Sequence, residues 1–127
     1  GTNSGTSGSG SGGACATGLT DFDAVITVGQ FSGTTTGACP SFVSDELLTA
    51  TTGGAGGSSE TSFNGNSVFE AWYNYNFTTH VLTAKDDVLV VRSADGGTHY
   101  KVQMLDYYSG AGTSGYPTLK WAEIPFN

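Results

Sequence analysis

The sequence predicts one all-β domain of mostly antiparallel, sandwich-like sheets, preceded by a flexible Gly/Ser-rich tail. Three observations point there. Short runs rich in β-branched and aromatic residues recur through the second half of the chain. Asp95-Gly96 separates two such runs as a hairpin turn. Gly- and Ser-rich stretches bound most of the remaining segments. The 127 residues are one domain's worth of chain, and no repeat that would mark a solenoid is visible.

Residues 1–13, GTNSGTSGSGSGG, carry no apolar side chain and read as a flexible tether. The domain proper is expected over 14–127. Residues 22–31, FDAVITVGQF, read as a strand. Residues 32–38 read as a loop. Residues 42–50, FVSDELLTA, allow either one helical turn capped by Ser44 or a short strand. Residues 53–60, GGAGGSSE, read as a second flexible loop. Residues 67–78, SVFEAWYNYNFT, alternate and read as a strand, with Phe69, Ala71, Tyr73, Tyr75 and Phe77 on one face. Residues 88–93, VLVVRS, are nearly continuous apolar sequence, as in a strand covered on both faces. Residues 98–107 form the return strand after Asp95-Gly96. Residues 118–124, TLKWAEI, read as a last strand bracketed by Pro117 and Pro125.

Composition excludes several classes of function. Gly, Ser and Thr together make up 52 of 127 residues, and charged residues are only 12%. The net charge of −7 leaves no basic stripe for nucleic acid and disfavours an anionic membrane surface. No apolar run approaches the length of a membrane span. Low charge and abundant Gly, Ser and Thr suit an extracellular or cell-surface protein. The chain starts at Gly1 without a signal-peptide apolar stretch. A processed terminus, with a lipid anchor once upstream of it, suits this start as well as an arbitrary one. Cys15 and Cys39 are the only cysteines. A disulfide between them would close a loop of about 25 residues, worth about 3.5 kcal/mol by chain entropy. Two free buried thiols are the alternative, since no Cys-x-x-Cys or neighbouring His suggests redox or metal chemistry.

Catalytic signals are weak, and no enzyme is expected. No Gly-x-Ser-x-Gly elbow is present, and His80 and His99 are the only imidazoles. Asp86-Asp87 read as solvated turn acids. Asp21 and Asp23, with loop carbonyls, are a weak calcium candidate. Asn76-Phe77-Thr78 is a formal glycosylation sequon inside an expected strand.

The segment 67–120 carries a more specific pattern. WYNYNF is followed by HVLTAKDDVLVVRSADGGTHYKVQMLDYYSGAGTSG and then PTLKW, with VRSADG, HYKVQ and DYY the most distinctive parts. This segment resembles the HmuY-like family of bacterial haem-binding surface lipoproteins. The resemblance implies a β-rich fold, a secreted or outer-surface location, and haem held by two axial side chains. Members with paired His are known, and Met serves in others. It assigns no ligand position here. His80, His99 and Met104 are the ligand candidates, and Tyr73, Tyr75, Tyr100, Tyr108 and Trp121 the candidate pocket aromatics. The alternative for the aromatics is packing of the core and sheet faces.

Geometry bears on the histidines. Tight turns at Lys85-Asp86 and Asp95-Gly96 would set His80 opposite Val91, and His99 opposite Arg92. The two imidazoles would then lie on opposite faces of a three-stranded meander, about 10 Å apart at the backbone. Met104 would share His80's face about 13 Å along the strand. One haem could not bridge them within a chain, although a one-residue slip in either hairpin reverses this. Two functions follow from the sequence: an extracellular module capturing haem or another flat hydrophobic ligand, or a structural subunit of a surface layer or filament whose partners are copies of itself.

Overall fold

The computed structural model describes residues 1–127. Eight strands and one short helix make up its regular structure: β1 Gly13–Ala16, β2 Glu46–Gly54, β3 Gly57–Gly65, α1 Ser67–Glu70, β4 Tyr73–Asn76, β5 Val81–Ala84, β6 Val88–Arg92, β7 His99–Tyr108 and β8 Ser114–Ile124. The main sheet has the order β1-β6-β7-β8, and all its pairs are antiparallel. β2–β3 and β4–β5 form two separate hairpins. The expected all-β, antiparallel class is therefore present.

β6 lies inside the sheet, and its apolar run is buried from Val88 to Val90. The Asp95-Gly96 hairpin has the expected register, with Arg92 opposite His99. Gly96 takes a positive φ of 79°, and Asp95 Oδ1 accepts from the Gly97 N–H at 2.8 Å. β8 is an edge strand that begins earlier than expected, so Pro117 lies within it. Pairing with β7 is irregular there, between Met104 and Tyr108. An edge with disturbed pairing is where a residue lacking an N–H is tolerated.

One sheet face carries the core. Cys15, Val88, Val90 and Ile124 from the sheet meet Val25, Val28, Phe31 and Cys39 from the segment between β1 and β2. That segment includes the expected strand 22–31, which is instead two 3₁₀ turns, Phe22–Ala24 and Gly29–Phe31. The pattern explains the difference. Val25, Val28 and Phe31 recur every third residue, the period of a 3₁₀ path, and all three are buried. Strand alternation would have buried Ile26, which is 65% exposed. Gln30 replaces the missing ladder: its Oε1 accepts from the N–H groups of Ile26 and Thr27, and its Nε2 donates to Ala24 O.

Other expectations also change. The ambiguous 42–50 region is a strand from Glu46 onward. Residues 53–60, expected to be a loop, continue a hairpin whose ladder pairs Glu46 with Gly65 and Gly54 with Gly57. Hydroxyl pairs such as Thr52–Ser59, 2.8 Å apart, support the strands where apolar pairs are absent. The expected strand 67–78 splits, because Asn66 caps a helical turn by accepting from the Val68 N–H at 3.1 Å. Lys85-Asp86 does not form a hairpin turn. β5 pairs with β4, Lys85 N–H donates to Trp72 O, and the chain then crosses to β6. The expected meander of three strands is absent, and His80 never faces Val91.

Residues 1–13, expected as a tether, are laid along the domain. Ser4 is buried, Ser11 N–H donates to Ala94 O, and Gly13 belongs to β1. The buried Asp45 anchors them: its carboxylate accepts from Thr2 Oγ1 at 2.8 Å and from Asn66 Nδ2 at 3.1 Å. Burial opposes its ionisation, but these hydrogen bonds prevail and hold its pKa below the usual carboxylate value. Close approach requires glycine here. A Cβ at Gly12 would fall 1.7 Å from Thr2 O.

Cys15 and Cys39 form a disulfide, fastening the irregular layer to β1. Cys15→Ser is expected to lower the melting temperature by several degrees under oxidising conditions, read by circular dichroism. The chain-entropy value of about 3.5 kcal/mol sets the scale. A second test concerns Lys101, whose Nζ donates to Phe22 O at 2.8 Å and Val25 O at 2.9 Å. Lys101→Met should cost about 1–3 kcal/mol in urea unfolding, because two carbonyls lose their donor.

Candidate functional site

The three candidate haem ligands lie in three different places. His99 is buried at the end of the core face, with its ring 5.4 Å from that of Phe42 and 5.6 Å from that of Phe126. Met104 points to the opposite sheet face. There it lines a hollow of about 320 Å³ with Leu89, Val102, Leu119 and Trp72. His80 is exposed at the turn of the β4–β5 hairpin, with a positive φ of 58°. That turn is internally tied: Asn76 O accepts from His80 N–H at 2.7 Å, and Asn76 Oδ1 accepts from the Thr78 and Thr79 N–H groups.

The candidate aromatics also divide. Tyr100 and Trp121 meet edge to face at 5.9 Å on the outer face of the main sheet. Tyr108 Oη accepts from Leu82 N–H at 2.9 Å and fastens the β4–β5 hairpin to β7. Tyr73, with Ser67 and Glu70 of α1, lines a cleft of about 390 Å³ beside Leu48, Thr49, Thr51 and Phe63 of the β2–β3 arm. Tyr75 lies two residues along the same strand, and therefore on the same face as Tyr73. Its Oη is 2.7 Å from His80 Nδ1. Phe77, 83% exposed, meets Tyr75 edge to face at 4.9 Å. Tyr75 and the His80 imidazole lie further along the β4–β5 hairpin, outside the residues that line the cleft.

In the tautomer whose Nδ1–H donates to Tyr75 Oη, His80 Nε2 keeps a free lone pair that a metal could accept. Aromatic surface flanks it. The cleft volume lies within the usual range for small-molecule sites, about 300–1,000 Å³. Its lining offers the Tyr73 hydroxyl and the Glu70 carboxylate as oxygen donors, and the His80 imidazole stands beyond it along the hairpin. The facing arm was missed from sequence because GGAGG was read as a loop. The signal lay in Leu48 and Phe63, which pair across the hairpin once Ala55-Gly56 is taken as its turn. Asp21 and Asp23 serve a turn instead: Asp21 Oδ1 accepts from Asp23 N–H at 3.0 Å. Among the described residues, no group of three or more His, Cys, Asp or Glu could hold a metal ion.

Comparison with known proteins agrees with this architecture. The family model for HmuY protein matches residues 1–121. The chain belongs to the HmuY family. Its fold is similar to that of a candidate HmuY-like haem-binding protein from Bacteroides vulgatus, at 21% identity and a TM-score of 0.62, covering 87% of this chain and 61% of that one. It is also similar to the apo HmuY analogue of Tannerella forsythia, at 19% identity and a TM-score of 0.63, covering 90% and 59%. A candidate lipoprotein from Bacteroides fragilis matches at 21% identity and a TM-score of 0.59, covering 87% and 59%. The chain spans about three-fifths of the length of these solved structures. No curated protein matches it significantly.

His99 makes a pH prediction. Its burial disfavours the charged imidazole, and Arg92 adds repulsion, so its pKa lies below the ordinary histidine value. As pH falls through about 6.5, the unfolded chain takes up this proton first. Stability from this group is complete above that pH and declines as pH drops toward the folded value. Urea midpoints should fall between pH 7.5 and 5.5 in the parent protein, and by less in His99→Gln.

Proposed function

We propose that the protein is a non-catalytic binding module, working at the bacterial cell surface or outside the cell, that captures haem or a similarly flat hydrophobic ligand. The ligand site is the cleft beside the β2–β3 arm and the hairpin that continues from it, and His80 is the side chain that would hold the iron. One observation carries this reading. Tyr75, in contact with the chain's exposed imidazole, lies on the same face of β4 as the cleft-lining Tyr73.

Membership of the HmuY family supports haem as the ligand class. The haem-binding and lipoprotein descriptions of its structural relatives support the ligand and the location. No helix is long and apolar enough to cross a membrane. The alternative of a filament subunit draws no support from these similarities. His99 is set aside as a ligand because it is buried in the core face, and Met104 because its hollow lies on the outer face of the main sheet.

Haem bound here would supply a Lewis-acidic iron and a flat apolar surface. The chain supplies orientation: Asn76 holds the turn, Tyr75 holds the imidazole, and Tyr73 and Phe63 give the cleft aromatic surface. The test is a haemin titration followed by the Soret band. Wild type should give a saturable 1:1 shift. His80→Ala should weaken binding at least tenfold, and Met104→Leu should leave it unchanged. A flat wild-type titration, or undiminished binding by His80→Ala, would remove the reading.

A further inference from the structure

We propose that the hollow on the outer face of the main sheet is a second binding site, which takes a small molecule with an apolar body and a positively charged amine. The inference stands apart from the reading of the cleft. It follows from how the hollow is built and from the charges that border it.

The sheet supplies the floor. Leu89 pairs with Val102 across β6–β7, and Met104 with Leu119 across β7–β8, so these four side chains share one face. Phe69 of α1, and Trp72 just beyond that helix, supply a wall. The space they border is about 320 Å³, and a smaller cavity of about 80 Å³ adjoins it, sharing Trp72, Leu89 and Met104. Together they have the size and the largely apolar lining of a small-molecule site. Leu119 is 46% exposed on the edge strand, so the hollow is open to solvent on that side.

The charges decide the sign of the ligand. Asp86 and Asp87 border the smaller cavity, and Glu70 borders the larger space as well as the cleft. No Lys, Arg or His lines either space. The main chain at Asp86 is held in place, with a φ of 62° and its carbonyl accepting from Gln103 Nε2 at 2.6 Å. Asp86 is exposed and Asp87 half-buried, which leaves both within a ligand's reach. Trp72 borders both spaces beside these acids, and an indole favours a cation. An ammonium in the smaller cavity would meet the two aspartates, with its apolar body over Met104, Val102 and Leu119. Haem suits this hollow badly, because its anionic propionates would meet carboxylates.

The probe is phenethylammonium, with phenylpropionate as an anion of similar shape. Each is titrated at low salt into the isotope-labelled chain and followed by NMR. Phenethylammonium should give saturable shifts centred on the Trp72 indole N–H, Leu89 and Met104, and phenylpropionate none. Asp86→Asn combined with Asp87→Asn should weaken binding about fivefold or more. Asn tolerates the positive φ at residue 86. Leu119→Lys, at an exposed edge-strand position, should also weaken binding by placing a cation at the mouth. Circular dichroism checks that both variants keep the fold. Equal shifts with phenylpropionate, shifts centred elsewhere, or undiminished binding by the folded variants would overturn the inference.

Discussion

The structure depends on satisfying an irregular polypeptide layer that lies against a sheet. Residues between β1 and β2 cover the core face without forming strands, so their backbone groups have no ladder to join. Buried carbonyls without partners cost about 1–3 kcal/mol each. Polar side chains on the sheet itself answer this. Lys101 and Gln103 rise from β7 into the core face, and Gln103 Nε2 donates to Thr20 O at 2.8 Å and to Asp86 O. Thr17 Oγ1 donates to Val88 O at 2.7 Å. Among the described residues, no buried side-chain nitrogen or oxygen lacks a partner. The Lys101 ammonium also sits 4.1 Å above the Phe22 ring, so one side chain fastens the layer by two kinds of contact.

What could be read in the sequence follows from how local the determining forces are. Asp95-Gly96 set its hairpin register because turn chemistry acts within a few residues. The apolar run at Val88–Val91 marked an inner strand for the same reason. The disulfide was accessible from cysteine count alone. The segment 22–31 misled because β-branched residues suggest strands, while the three-residue spacing of Val25, Val28 and Phe31 was the better guide. At Asp86 the chain leaves one hairpin for another sheet, and that choice is fixed by Gln103, 17 residues away. The Gly-rich start was read as a tether because its side chains offer nothing to bury. Its backbone does pack, through a carboxylate 43 residues distant.

The site was partly legible. His80 and Tyr75 were both candidates, but their pairing depended on a hairpin the sequence did not reveal. Once β4 and β5 pair with each other, a four-residue turn brings the imidazole back over the strand that carries Tyr75. The same topology removes Met104 to another face. Sheet order, rather than residue identity, therefore sets the three candidate donors in three different places.

The β2–β3 arm has a thermodynamic consequence of its own. Its nine paired positions contact little beyond each other, and most of its side chains are exposed. An isolated two-stranded ribbon is marginally stable in water. The arm therefore belongs to the part of the molecule that opens at low free energy, while β6 and β7 open only with global unfolding. Neither wall of the cleft belongs to the main sheet. A ligand entering the cleft would order the arm, and part of its intrinsic affinity would be consumed in doing so. Release would then begin at the arm, and the residence time of the ligand would follow the arm's own opening rate.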